Sequence, residues 1–134
     1  MVLPGKGPST HLSWEEMGCR DGTPYPERWL DRADTLSREF EILRRVWRKP
    51  LAISSAYRTP AYNRAVGGAP RSQHIYGRAL DIRPPKGVEL REFFKAVEET
   101  LIVRGVVKGF GKYIGGWAHI DIRPTEGVVR WIGE

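Results

Sequence analysis

SQHIYGRALDIR, residues 72–83, is the stretch whose reading decides the fold. It opens with polar and glycine-containing loop chemistry and turns into a strand near Arg78–Arg83. Alternate residues of an extended chain point to opposite faces. Asp81 therefore points away from the face that carries Leu80 and Ile82, and Pro84-Pro85 ends the strand. A histidine in the loop, His74, precedes a carboxylate in the strand by seven residues.

The flanking segments place this strand in an α+β domain. Upstream, Leu36, Phe40, Leu43 and Trp47 recur at helical spacing, which predicts a helix over about 33–48 that Pro50 stops. LAISSAY, residues 51–57, follows as a compact strand. Thr59-Pro60 opens a short helix, because proline suits the first helical position after a capping threonine, and Gly67-Gly68 ends it. Downstream, Leu90, Phe93, Val97 and Leu101 line one face of a helix over about 89–103. VVKGF, WAHIDI and VVRWI read as strands separated by glycines and Pro124. This order predicts a small single domain with a mostly antiparallel sheet and flanking helices. Residues 1–11 read as a tail that can be tied down at its end, with the domain over 12–134. Ser13 and Glu16 match a capping box and predict a short helix over about 13–18.

The chain has 134 residues, enough for one domain that buries roughly two-thirds of its unfolded surface. With 40% hydrophobic and 28% charged residues it is globular rather than disordered. Cys19 is the single cysteine, which excludes an intrachain disulfide, and it reads as a small buried filler. No apolar run at the start is long enough for a signal peptide, and no segment reads as a transmembrane span. The formal charge of +6 favours an anionic partner. The densest cationic cluster, Arg44-Arg45 with Arg48-Lys49, lies on a predicted helix and its exit and reads as a solvated face, so a nucleic-acid partner is not expected.

Two histidines and a carboxylate carry the chemistry. Zinc takes imidazole nitrogen and carboxylate oxygen, and catalytic sites often use three protein ligands plus water. His74, Asp81 and His119 form such a set if the fold joins them; the alternative is a surface loop histidine and a hydrogen-bonded sheet histidine. Asp121 shares a strand face with His119. It can orient that ring, act on a bound water, or simply face solvent. Arg58 can grip a carboxylate through two parallel hydrogen bonds, with Tyr57, Asn63, Ser72 and Gln73 as nearby polar candidates. Tyr113 is placed to edge a cleft.

The segments SSAYRTPAYNRAVGG (54–68), SQHIYGRALDI (72–82) and WAHIDIR (117–123) together resemble the M15 zinc peptidases, in the D-Ala-D-Ala carboxypeptidase-like branch whose fold is shared with the hedgehog signalling domain. The Ser-x-His-x-x-Gly-x-Ala-x-Asp run is met by Ser72, His74, Gly77, Ala79 and Asp81, and a later His-x-Asp by His119 and Asp121. The resemblance implies one Zn2+ on His74, Asp81 and His119. Arg58 would face the substrate, Ser72 would line the wall, and Asp121 would stand behind the ligands or face the water. It also implies action on peptidoglycan stem peptides, as a D,D-carboxypeptidase or an endolysin-type endopeptidase. A monomer is expected, cytoplasmic until release and acting at the cell wall, or a phage-encoded lysin. One position departs from the pattern: several relatives carry a catalytic Glu three residues before the last His ligand, and here that residue is Gly116. The base is then Asp121, or a residue from elsewhere such as Glu126. If there is none, the chain is a zinc-containing wall-binding module with weak or no turnover.

Overall fold

In the computed structural model, which describes residues 3–134, Ser13 does cap a helix. Its hydroxyl accepts the Glu16 amide while the Glu16 carboxylate accepts the Ser13 amide, so both ends of the capping box close. This helix, α1, is short (Trp14–Met17). The segment before it is pinned rather than free. Trp14 donates its indole N–H to the Pro4 carbonyl, and Ser9 and His11 both reach Glu41. Met1 and Val2 of the expected 1–11 tail lie outside the described residues.

The long helix α2 spans Leu30–Trp47, three residues longer at its start than its apolar spacing predicts, because a 3-10 turn at Glu27–Trp29 feeds directly into it. Its buried stripe is Ala33, Leu36, Phe40 and Leu43. Helix α3 (Pro60–Ala65) starts at the capping Thr59. Helix α4 (Leu90–Thr100) buries Phe93 and Val97 and ends in a 3-10 turn at Ile102–Arg104. Trp47 at the end of α2 packs edge-on against Phe93, with ring centroids 5.4 Å apart. Among the described residues, no helix is long and apolar enough to cross a membrane.

Five strands form one sheet: β1 (Ala52–Ser55), β2 (Ala79–Arg83), β3 (Gly109–Tyr113), β4 (Trp117–Asp121) and β5 (Val129–Gly133). Their spatial order is β1-β2-β4-β3-β5, antiparallel throughout except for the parallel β3–β5 pair. The fold is therefore the small α+β domain with a mostly antiparallel sheet and flanking helices that the sequence implies, and it is hedgehog/DD-peptidase-like. One sheet face, with Leu80, Ile82, Phe110, Ala118 and Ile120, joins α2 and α4 in the core.

The register sets up the other face. Ser55 pairs with Asp81, Asp81 with His119, His119 with Gly111, and Gly111 with Trp131. These five residues make one row across the whole sheet. Expected strand VVKGF is displaced in the structure, since β3 begins only at Gly109. Two glycines explain why pairing runs from there. A Cβ on Gly109 would fall 2.2 Å from an Asp121 carboxylate oxygen, and one on Gly111 would fall 2.5 Å from the Trp131 indole nitrogen. Glycine inside a strand commonly marks such a close approach.

Replacing Gly111 by alanine is therefore expected to lower stability by about 1–3 kcal/mol, the usual cost of overpacking a closed site. Urea denaturation measures it, and an unchanged midpoint would contradict the packing of Trp131 on β3.

Candidate metal centre

His74 reaches the sheet from the 3-10 turn Gln73–Tyr76, which Ser72 caps by accepting the His74 amide. Gly77 ends that turn in the left-handed region (φ 65°), a conformation that favours glycine. Asp81 and His119 arrive from paired positions of β2 and β4. The turn, the strand and the ladder together place one ligand atom from each of His74, Asp81 and His119 within 4.8 Å of one another, all buried. The rings of His74 and His119 stand edge to face at 5.0 Å.

The hydrogen bonds fix which atoms face inward. His74 Nδ1 lies 2.6 Å from the Ala56 carbonyl oxygen. A carbonyl only accepts, so Nδ1 carries the hydrogen and Nε2 keeps its lone pair. That Nε2 is buried, has no hydrogen-bond partner, and lies 3.1 Å from Asp81 Oδ1. His119 donates through Nε2 to Asp121 Oδ2 at 2.7 Å, which turns Nδ1 toward the same Asp81 Oδ1 at 3.0 Å. Two imidazole lone pairs and a carboxylate oxygen thus converge with no donor of their own between them. Such a set is costly when buried and matches what a divalent cation requires. The donor types, two nitrogens and one carboxylate oxygen, fit zinc.

The titration of these groups follows from the same contacts. Burial pushes His74 below the ordinary histidine range, against the opposing pull of Asp81. Burial pushes His119 the same way, but the Asp121 carboxylate that accepts from Nε2, together with the negative charge of Asp81, outweighs it and holds the ring above that range. Burial would raise the Asp81 carboxyl, but the two imidazoles beside it, His74 first and then His119, outweigh that and hold it well below the usual carboxylate range.

A second tier of residues holds the set. Arg58 donates from Nε to Ser55 Oγ (3.0 Å) and from its terminal nitrogens to Asn63 Oδ1 (3.2 Å) and Asp81 Oδ2 (3.5 Å). Asn63 is buried and donates to the Ala69 carbonyl. Gly68 must lack a side chain here, because a Cβ would meet Asn63 Oδ1 at 2.1 Å and an Arg58 nitrogen at 2.9 Å. Asp121 is fully buried. Its Oδ1 accepts the Arg123 amide and Nε, and its Oδ2 accepts His119 Nε2 and an Arg123 terminal nitrogen. Burial alone would raise its carboxyl, yet these bonds hold it well below the usual range.

The triad opens into a cleft of about 630 Å³, which Arg58, Ser72, Gln73 and Tyr113 line together with the three ligands. Of the other polar candidates, Tyr57 packs edge-on against Tyr25 and Trp29 and does not line the cleft, and Asn63 acts through Arg58. Asp121 does not line the cleft either. Cys19 is buried with Thr59 Oγ1 at 4.0 Å and is not part of the triad. Glu126 is exposed, and its backbone carbonyl accepts Lys108 Nζ.

Sequence reasoning named Tyr113 at the cleft edge but missed the tryptophans that build an aromatic wall with it. Trp131 packs on His119 at 5.1 Å and donates to the Tyr113 hydroxyl at 2.9 Å, while Tyr113 stacks on Trp117 at 4.7 Å. Arg71, Arg123 and Glu134 also line the cleft. The signal for Trp131 was the glycine at 111 in a strand.

No curated protein matches the chain significantly. The family model described as Peptidase M15 matches residues 10–121, a span that contains all three ligands, Arg58 and Asp121. The chain therefore belongs to the peptidase M15 family, and its buried His-Asp-His triad is the metal-binding set of that family's metallopeptidases.

Proposed function

We propose that the protein is a zinc-dependent peptidase that hydrolyses peptide bonds in peptidoglycan stem peptides. The observation that carries this reading is the convergence of His74 Nε2, Asp81 and His119 Nδ1 at the base of a cleft lined by Arg58, Arg71 and Arg123. Stem peptides carry carboxylates, and arginine forks bind carboxylates well. The substrate puts the place of action outside the cytoplasmic membrane.

Zinc held by the triad would polarise a scissile carbonyl and lower the pKa of a bound water to about 7. The chain's own residues divide the remaining work. Arg58 is held from three sides and supplies fixed positive charge beside Asp81, suited to a substrate carboxylate or a developing oxyanion. Ser72 and Tyr113 bound the path of the peptide. Asp121 holds the His119 tautomer through a 2.7 Å bond. Its oxygens are both occupied and turned from the cleft, so we assign it an orienting role in place of the base role that the sequence suggested. Two acidic residues line the cleft among the described residues, Asp81 and Glu134. Asp81 belongs to the triad, which leaves Glu134 as the candidate for moving the water's proton.

A second reading, a wall-binding module with little or no turnover, is favoured by one observation. Position 116 cannot easily carry the missing acid. Gly116 closes the β3–β4 turn at φ 113°, donating to the Tyr113 carbonyl, and side chains other than glycine rarely adopt that backbone.

Digestion of defined peptidoglycan fragments, with products read by mass, separates the two readings. Cleavage is expected to stop in chelator and to return with zinc; cleavage that survives complete metal removal overturns the mechanism. Asp121→Asn is expected to weaken zinc binding ~10–100-fold, as loss of a ligand's hydrogen-bond partner does, while turnover at saturating zinc falls less than ~10-fold. A loss of ~100-fold or more at saturating zinc would restore Asp121 as base. Glu134→Gln is expected to lower turnover ~100-fold with zinc affinity unchanged, and full activity in that variant removes its assignment.

A further inference from the structure

Trp29 carries two guanidinium groups. Arg28, exposed, lies 4.3 Å from its ring centroid, and Arg32 lies 4.6 Å from the same centroid. Arg32 also donates to the Tyr76 carbonyl at 2.6 Å. Tyr76, exposed on the 3-10 turn that carries His74, has Arg78 at 5.8 Å from its own ring. Two arginines thus lie at one ring, one of them also reaches the Tyr76 backbone, and the third lies at the Tyr76 ring. None of them forms an ion pair with a carboxylate among the described residues, whereas Arg38, Arg58, Arg104, Arg123 and Arg130 all do. Burial first, and then the charge of Arg78, hold the Arg32 guanidinium below its ordinary value, with Arg28 adding to the effect and Asp31 opposing it. Like charges are close enough here to repel.

The platform beneath them is rigid. A Cβ on Gly77 would meet the Trp29 ring at 2.6 Å, so indole and turn are in tight contact. The Tyr25 hydroxyl donates to the Gly77 carbonyl at 2.8 Å and lies 3.1 Å from the Trp29 carbonyl. Crowded, unpaired guanidiniums on a fixed support are preorganised for an anion, since their repulsion is relieved when negative charge arrives.

We propose that Arg28, Arg32 and Arg78 form a binding site for a phosphodiester polyanion without bases, of the polyol-phosphate kind that cell walls carry, adjoining the segment that presents His74. Three cations spread over two rings match repeated charge better than a single carboxylate. Nucleic acid fits poorly. Binding of single strands uses free aromatic faces for base stacking, and here guanidiniums lie over both rings while Tyr57 also packs edge-on at Trp29. The choice of a wall polymer rests on the peptidase reading; the anion site itself does not.

Titration calorimetry with poly(glycerol phosphate) tests the site, run between about 50 and 200 mM salt beside a single-stranded DNA of equal phosphate number. Binding is expected to weaken linearly on a log-log salt plot. R28Q/R78Q should bind at least ~10-fold more weakly, with a slope shallower by about 1.4–1.8, the value for two phosphate contacts. R28Q alone, at an exposed position, should lose about half of that slope and so repeats the test should the double variant fold poorly. R45Q/R91Q removes the same charge from exposed positions elsewhere and should bind within ~2-fold of the unsubstituted protein. Equal loss in R45Q/R91Q would reduce the effect to net charge and overturn the site. DNA binding ~10-fold tighter than the polyol phosphate would overturn the choice of ligand. Chelator, which strips any metal from the triad, should leave binding of the polymer unchanged, so failure of the peptidase reading and failure of this one are read separately.

Discussion

A single row of the sheet, Ser55–Asp81–His119–Gly111–Trp131, is the constraint on which the site depends. Directly opposed residues on neighbouring strands bring their side chains within about 5 Å, and that spacing puts Asp81 beside His119 with no further adjustment. Slipping one strand by one residue would turn its side chains to the other face and exchange the triad for core residues such as Leu80 or Ile120. The apolar face buried under α2 and α4 therefore does more than stabilise the domain. It locks the register, and the register assembles the ligands. The two neighbouring glycines complete the device. Gly109 makes room for Asp121 behind His119, and Gly111 makes room for Trp131 against it.

Much of this was legible in the chain because it depends on local chemistry. The capping residues Ser13 and Thr59, the helix stripes of α2 and α4, and the alternation around Asp81 each act over a few residues. The Ser-x-His-x-x-Gly-x-Ala-x-Asp run combines a turn and a strand in one stretch, and so it identified two ligands and the glycine that ends the turn. What escaped was non-local. Parallel pairing of β5 with β3 leaves no mark beyond Gly111, which lies outside the expected strand VVKGF, so Trp131 entered only as part of the strand VVRWI. The start of β3 was misplaced because Val106 and Val107 have strand propensity, while the ladder with β4 begins at Gly109. The side of β4 that carries His119 and Asp121 was correctly drawn as one face, yet alternation cannot say whether a carboxylate meets water or an imidazole nitrogen.

The turn between β3 and β4 shows why one familiar feature is missing. An acid before the last ligand would have to sit at Gly116, where the backbone is left-handed and Arg83, which donates to the Gly115 carbonyl and stacks over Trp117, already fills the space a Cβ would approach at 3.2 Å. The tight turn, the Tyr113–Trp117 stack and the aromatic wall are one structure. A side chain there would press on Arg83 and so on the Trp117 ring beneath it, next to the wall that Trp131 and Tyr113 build.

Asp121 stands behind His119 in this arrangement. Its four accepted hydrogen bonds keep it charged while fully buried, which few carboxylates tolerate without a paired cation. Arg123 supplies the cation, and that charge in turn lies 5.2 Å from the Trp131 ring centroid. The carboxylate is left free to hold His119 by its outer nitrogen. Without that bond the imidazole could present either nitrogen, and half of the lone-pair geometry at Asp81 would be lost. The same logic operates on His74, where the backbone carbonyl of Ala56 does the work of the carboxylate. One ligand is oriented by a neutral acceptor and the other by a charged one, and the charged partner is what holds the His119 proton affinity above that of His74. The two imidazoles look alike in sequence, but the protein has made them different bases.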